Sequence, residues 1–345
     1  MGIERVPGAS GASVSVSKSP MGFQTPVVDA LSVRVVVDSR YERFLPKASH
    51  PQVRIEHVGR IPGRPDTTFA AEWGLSLHLV SVKAGAKAQY VLDFGYTPEI
   101  INRNFELLGI DPAAINGLIL SHGHRDHFGG LDGFVQQHRG EMREDLALYV
   151  GGETIFRPKW LKEAGETVLW GAVDRAALQS KNVAAVCCPK PCALEGAFTS
   201  GYIERTSFEQ VTGGSWVVED HYSEAERKGQ LVRDQHPDEH ATCYIVKGRG
   251  LVVISSCGHA GIINSVRSAM AVANVDKVHA VIGGFHLGAS PNEYLQHTLQ
   301  ELERIDPDVI LPMHCTGEAF IAMLRASLPQ KVVYSNVGSQ FTFGA

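Results

Sequence analysis

Six consecutive residues, His122-Gly-His124-Arg-Asp126-His127, hold four groups able to bind a metal. The apolar run Gly117-Leu-Ile-Leu120 leads into them, and Gly129-Gly130 follows. Side chains two apart on a strand point to one side, so His122 and His124 address the same point. A turn then lets Asp126 and His127 reach a neighbouring point. Imidazole and carboxylate suit zinc, and also iron or manganese. A surface loop rich in histidine by chance would not also carry the buried strand before the motif and the glycine pair after it.

Two metals that each keep an open position need more than four protein ligands. His259 and His314 are the best additions, because each follows an apolar strand: Leu251-Val-Val-Ile-Ser-Ser-Cys-Gly-His259 and Val309-Ile-Leu-Pro-Met-His314. The C-terminal ends of strands are where α/β folds gather functional side chains. His286, in Gly283-Gly-Phe-His-Leu287, has the same placement. A lone histidine is more often a hydrogen-bonded structural residue. Beside the cluster, His259 and His314 read as ligands, and His286 as a substrate contact or a support for the ligands.

Strands and helices mix along the whole chain. Leu75 to Val82 and Tyr90 to Phe94 read as strands. Thr97-Pro98 opens a helix that Gly109 closes. Ala241 to Val246 and Leu251 to Ser255 read as a hairpin. Ser290-Pro-Asn-Glu293 has the form of a capping box, and Thr316 of a helix cap. Residues from about 140 to 235 are less regular and read as an insertion covering a site. Residues 1–30 are expected to form a flexible N-terminal segment, and 31–345 a single domain. Cys188-Pro-Lys-Pro-Cys192 has a spacing that a metal tolerates, but no matching second pair, so free thiols are the simpler account.

Composition narrows the function. The chain has 345 residues, a net charge of -5, 44% hydrophobic and 20% charged residues, as ordinary globular proteins do. No run is long enough for a membrane helix, and no basic block suggests nucleic acid. The first residues lack the apolar core of a signal peptide, so a cytoplasmic location with reduced cysteines is expected.

The motif with its glycine pair resembles the metallo-β-lactamase superfamily signature. Further segments are similar to one branch, 7,8-dihydropterin-6-methyl-4-(β-D-ribofuranosyl)-aminobenzene-5'-phosphate synthase. They are Glu72-Trp-Gly-Leu-Ser76, Leu92-Asp-Phe-Gly95, Leu108-Gly-Ile-Asp111, Cys257-Gly-His259-Ala-Gly261, Gly283-Gly-Phe-His-Leu287 and His314-Cys-Thr-Gly317. The resemblance implies an α/β fold, a four-layer αββα sandwich with the metals at one edge. It implies His122, His124 and His259 on one metal, Asp126, His127 and His314 on the other, and Asp93 orienting a ligand histidine. Most of the superfamily has a bridging Asp at the end of the strand that here reads Val253-Ile-Ser-Ser-Cys257. Cys257 sits nearest that place, which leaves a bridging hydroxide to join two metals, or one weak site.

These readings point to an enzyme. A divalent metal lowers the pKa of its water from 15.7 towards about 7, so hydroxide becomes available at neutral pH. Asp126 is expected to ligate and to accept a proton, and His286 to stabilise charge on the electrophile. The first expectation is a metal-dependent hydrolase with two divalent ions, zinc foremost, acting on a small-molecule ester, lactone, phosphoester or activated aryl ether. The alternatives are phosphoribosyl transfer of the dihydropterin type, and a metal-stabilised, non-catalytic subunit partnering an active homologue. A homo- or a hetero-oligomer is left open by the sequence.

Overall fold

Alternation along the strands decides which face of each sheet is sealed by what. In Ala30–Val37, Leu31, Val33 and Val35 point to the centre of the molecule, while Val36 joins a separate apolar cluster beneath helices. The same division recurs at Gly117–Leu120, where Ile119 faces the centre and Leu118 and Leu120 face the helices. A strand apolar on both faces must be covered on both. The computed structural model describes residues 23–45, 47–218 and 230–344, and in it two large sheets meet face to face.

The first sheet has eight strands. In order across the sheet they are Ala184–Cys187, Ala147–Val150, Gly117–Leu120, Ala86–Leu92, Ser76–Lys83, Ala30–Val37, Gln340–Gly344 and Arg54–Glu56. The second runs Cys192–Ala193, Phe198–Thr199, Thr242–Val246, Gly250–Ser255, Val278–Gly283 and Val309–Pro312, with Val27–Val28 also paired to Thr242–Val246. Between them lies a core that includes Leu77, Leu79, Tyr90 and Phe341 from one sheet and Tyr244, Val252, Ile254 and Ile282 from the other. Helices Pro98–Leu107 and Leu131–His138 cover the first sheet through Ile101, Phe105 and Phe134. Helices Ile262–Ala273, Asn292–Ile305 and Glu318–Ser327 cover the second through Val266, Leu302 and Phe320. This is the αββα sandwich.

Several local expectations are corrected. Residues 1–22 lie outside the described residues, but the rest of the supposed N-terminal segment is part of the fold. Val27–Val28 pairs with the second sheet, and Phe23 packs edge-on against Phe198. The stretch 140–235 is not one insertion either, because Ala147–Val150 and Ala184–Cys187 complete the first sheet, and Phe198–Thr199 belongs to the second. What stands apart is a four-stranded sheet of Leu231–Arg233, Ser215–Val218, Lys159–Glu163 and Glu166–Gly171. We call it the flap sheet.

Helix starts differ as well. The helix at Pro98 begins where expected, but Thr97 does not cap it. The Glu72 carboxylate accepts from the Tyr96 and Thr97 backbone N–H groups and from Thr97 Oγ1, at 2.8, 3.0 and 2.7 Å. A carboxylate there also favours the positive end of the helix dipole. The capping box at Ser290 does not form; Pro291 takes the cap position and Asn292 opens the helix. Thr316 lies in a short 3-10 turn, His314–Thr316, and the helix begins at Glu318.

The glycine pair after the metal motif is explained by close approach. A Cβ on Gly129 would lie 2.2 Å from the Tyr96 carbonyl oxygen, and one on Gly130 2.2 Å from that of Phe94. The turn holding Asp126 and His127 is therefore pressed against the end of the strand Ala86–Leu92. Gly129→Ala should cost roughly 1–3 kcal/mol, as overpacking does. Chemical denaturation measures this, and an unchanged midpoint would show that the turn has room to relax.

Candidate metal centre

Parallel strands in both sheets end at one rim. Ala86–Leu92 and Gly117–Leu120 run parallel in the first sheet; Gly250–Ser255, Val278–Gly283 and Val309–Pro312 run parallel in the second. Just beyond these ends come Asp93, His122, His259, His286 and His314, in that order. The sandwich thus gathers residues far apart in sequence. His122 Nε2 and His259 Nε2 lie 3.1 Å apart, and ligand atoms of His122, His124 and His259 all fall within 4.8 Å of one another.

The hydrogen bonds around these rings decide which nitrogen carries a proton. Asp93 is fully buried; its carboxylate accepts from the Ser121 N–H and Oγ–H, both at 2.8 Å. The Ser121 proton is thereby used, so its oxygen accepts from His122 Nδ1–H at 2.9 Å. His259 Nδ1 is 2.8 Å from the Thr212 carbonyl, which only accepts. His124 Nε2 faces Ser215 Oγ at 2.7 Å, and that hydroxyl donates onward to Asp234 at 3.3 Å. His122 and His259 are left with bare Nε2 atoms, and His124 with a bare Nδ1. Burial first, then neighbouring histidines, holds all three pKa values well below the ordinary imidazole range. Two buried lone pairs facing each other at hydrogen-bond distance, with no proton between them, call for a cation.

The second group lies alongside. Asp126 Oδ2 is 3.2 Å from His314 Nε2 and 3.8 Å from His127 Nε2. His127 Nδ1 is fixed by Asp93 Oδ2 at 2.7 Å. Burial pushes the Asp126 carboxyl upward, but His127 and His314 outweigh this and hold it below the usual carboxylate range. Burial likewise opposes charge on His127, yet Asp126 and Asp93 raise it to about 9. His314 is held by its backbone, whose N–H donates to Asp38 Oδ1 at 2.9 Å. His127 Nε2, His314 Nε2 and Asp126 Oδ1 are buried with no hydrogen-bond partner. The donor set fits divalent metal on both sides of the cluster. All six residues read from the sequence as ligands lie in this one region.

His286 stands at its edge. Its ring centroid is 4.2 Å from that of His259, and its Nδ1 is 3.2 Å from Cys257 Sγ. No carboxylate follows Gly250–Ser255 where the superfamily has its bridging Asp. Cys257 is there, its sulfur within 4.8 Å of ligand nitrogens of both His122 and His127.

The flap sheet supplies residues that the sequence reading missed. Ser215 and Asp234 orient His124, and buried Lys159 binds Asp234 and Asp238 at 2.6 and 3.3 Å. Asp238 also accepts from the Gly123 N–H, inside the metal motif, at 2.8 Å. His236 stacks on His259 with centroids 4.2 Å apart, and neither of its ring nitrogens has a hydrogen-bond partner. Glu239 accepts from the His259 and Ala260 N–H groups at 2.8 and 2.6 Å. The run Asp234-Gln-His-Pro-Asp-Glu-His240 carried a signal, since His and carboxylate are dense there just before an apolar strand. Two tryptophans complete the rim: Trp170 packs on His124 and Trp73 on His314, with centroids 4.6 and 4.7 Å apart.

Comparison with known proteins agrees with this geometry. A sequence profile of the metallo-β-lactamase superfamily matches residues 79–140, which span the metal motif. A protein of Methanocaldococcus jannaschii, 7,8-dihydropterin-6-methyl-4-(β-D-ribofuranosyl)-aminobenzene-5'-phosphate synthase, is 31% identical over 260 residues, or 73% of this chain and 83% of that one. The chain belongs to the metallo-β-lactamase superfamily, in the branch of this synthase. An uncharacterised protein of the same organism is 26% identical over 78% of this chain and 93% of its own. A solved structure described as a metal-dependent hydrolase of the β-lactamase superfamily shares the fold. It has a TM-score of 0.66 and 20% identity, covering 90% of this chain and 98% of its own.

Asp93 bonds His127 directly and His122 through Ser121, so its removal is a direct test of the centre. Asp93→Asn should weaken metal binding about 10–100-fold, the range for partners of ligand histidines. Competition against a coloured chelator reads this. Unchanged affinity would mean that His127 and His122 are oriented without the carboxylate.

Proposed function

We propose that the chain is a metal-dependent hydrolase that adds water to an electrophilic centre of a small molecule. Ester, lactone, phosphoester and activated aryl ether are the candidate bonds. The observation that carries this reading is the facing pair of unprotonated nitrogens, His122 Nε2 and His259 Nε2, at 3.1 Å in a buried site. A divalent ion held there, zinc foremost with iron or manganese also suited, supplies Lewis acidity and lowers the pKa of a water to about 7. His122, His124 and His259 would hold one ion; Asp126, His127 and His314 would hold a second.

The chain's own groups divide the remaining work. Asp126 has one oxygen beside His314 and the other without a partner, so it can bind and also take a proton. His286 lies over His259 at the edge of the cluster, suited to offset charge on the electrophile or leaving group. Trp73 is 55% exposed and, with Trp170, flanks the ligands, which suits a substrate with a flat ring. That feature, with the synthase named among the relatives, supports a second reading: attack on a phosphoribosyl carbon by an aromatic partner rather than by water. Incubation of a phosphoribosyl donor with and without an aromatic acceptor separates the two, because hydrolysis needs no acceptor.

Two outcomes are expected. Asp126→Asn should keep its fold and lose roughly two to four decades of turnover, since the amide neither carries charge nor takes a proton. Wild-type turnover in the metal-loaded variant would remove Asp126 from the chemistry. A chelator should abolish turnover yet leave a cooperative melt at a somewhat lower temperature, because the large core stands without a metal staple. Circular dichroism melts beside a screen of chromogenic esters and phosphodiesters read both. Unfolding on chelation, with no turnover of any substrate beforehand, would favour a metal-stabilised, non-catalytic subunit.

A further inference from the structure

Sulfur is concentrated where the two ligand groups meet. Cys257 and Cys315 are 2% and 5% exposed, and their Sγ atoms lie 3.2 Å apart. Cys257 belongs to one close group with His122 and His127, and to another with His314 and Cys315, each with ligand atoms within 4.8 Å of one another. It therefore lies within reach of both sides of the centre.

Cys315 is held in place by its surroundings. The turn His314–Thr316 has His314 in the left-handed region, at φ 46°, and so presents two successive residues to the cluster. The His286 backbone N–H donates to Cys315 Sγ at 3.3 Å. A Cβ on Gly284 would fall 2.7 Å from that sulfur, so the glycine leaves the sulfur its space. Two buried cysteines often act only as small apolar side chains. Here, however, Cys257 has imidazole nitrogens around it, and the nearby His314 Nε2 and His127 Nε2 have no hydrogen-bond partner.

We propose that Cys257 and Cys315 are sulfur ligands of the second metal position, beside His314, so that the centre has one nitrogen-only side and one sulfur-bearing side. This rests on the metal-centre reading above. Each thiol that binds gives up its proton to solvent and forms one sulfur–metal bond, with no change of oxidation state. Cys257, reaching both groups, takes the place of the absent carboxylate. A sulfur-bearing site selects zinc or iron over magnesium or manganese, which prefer oxygen.

The test uses the full chain loaded with cobalt(II) as a spectroscopic probe, and separately with zinc. Cobalt loading should produce a near-ultraviolet thiolate-to-cobalt band. Cys257→Ser and Cys315→Ser should each remove part of it, the double variant all of it, and Cys188→Ser none. X-ray absorption of the zinc-loaded wild type should show sulfur at about 2.3 Å from the metal, a readout that needs no variant to fold. Metal content is measured on the same samples. Metal bound at both positions with only nitrogen and oxygen neighbours overturns the sulfur proposal and leaves the metal centre standing. No bound metal overturns both.

Discussion

One buried carboxylate sets the geometry of this protein's rim. Asp93 sits at the end of a central strand with φ 59°, a strained position for a residue with a side chain. Its two oxygens take three protons, from the Ser121 N–H and Oγ–H and from His127 Nδ1. Through Ser121 it also dictates the tautomer of His122. One group thus turns two histidines so that their Nε2 atoms face inward. Other histidines obey the same logic through other acceptors, Thr212 for His259 and Ser215 for His124. The arrangement is unfavourable by itself, because buried lone pairs face one another. It persists because strands from two packed sheets fix where each residue emerges.

Much of this was legible in the chain. The motif from His122 to His127 announces itself by density, and His259 and His314 by their position after apolar strands. The sandwich was legible through the resemblance those motifs carry; the strands and helices alone showed only a mixed α/β chain. What stayed hidden depends on tertiary contact. Glu72 is 25 residues from Thr97 in sequence, so its role at the start of that helix has no local signature. Ser290 had the local chemistry of a cap, but Pro291 took the position. Ser215, Asp234 and Lys159 come from separated segments, and only the flap sheet makes them one network. Short strands such as Ala184–Cys187 joined the main sheet unseen because irregular stretches surround them.

The flap sheet is tied to the centre by more than coverage. Lys159, Asp234 and Asp238 form a buried ionic cluster, with Asp238 bound to the backbone of Gly123 within the motif itself. A buried pair of this kind is costly to break on one side only, since the remaining charge is stranded. Trp170, at the end of the strand Glu166–Gly171, rests on the His124 ring. The separate flap sheet is thus bonded to the metal motif itself.

That bonding has a consequence for how such a chain can diversify. Loops around an active site are where a fold ordinarily varies to accept new substrates. In this chain the flap also holds the hydroxyl of Ser215, which decides the nitrogen that His124 offers. Remodelling the flap would disturb the orientation of His124 in the same step. Changes to the flap's outer strand and to the Trp170 surface remain open, whereas Ser215, Asp234 and Lys159 can change only together. The surface beside the cluster and the orientation of one of its histidines are thus set by the same strands.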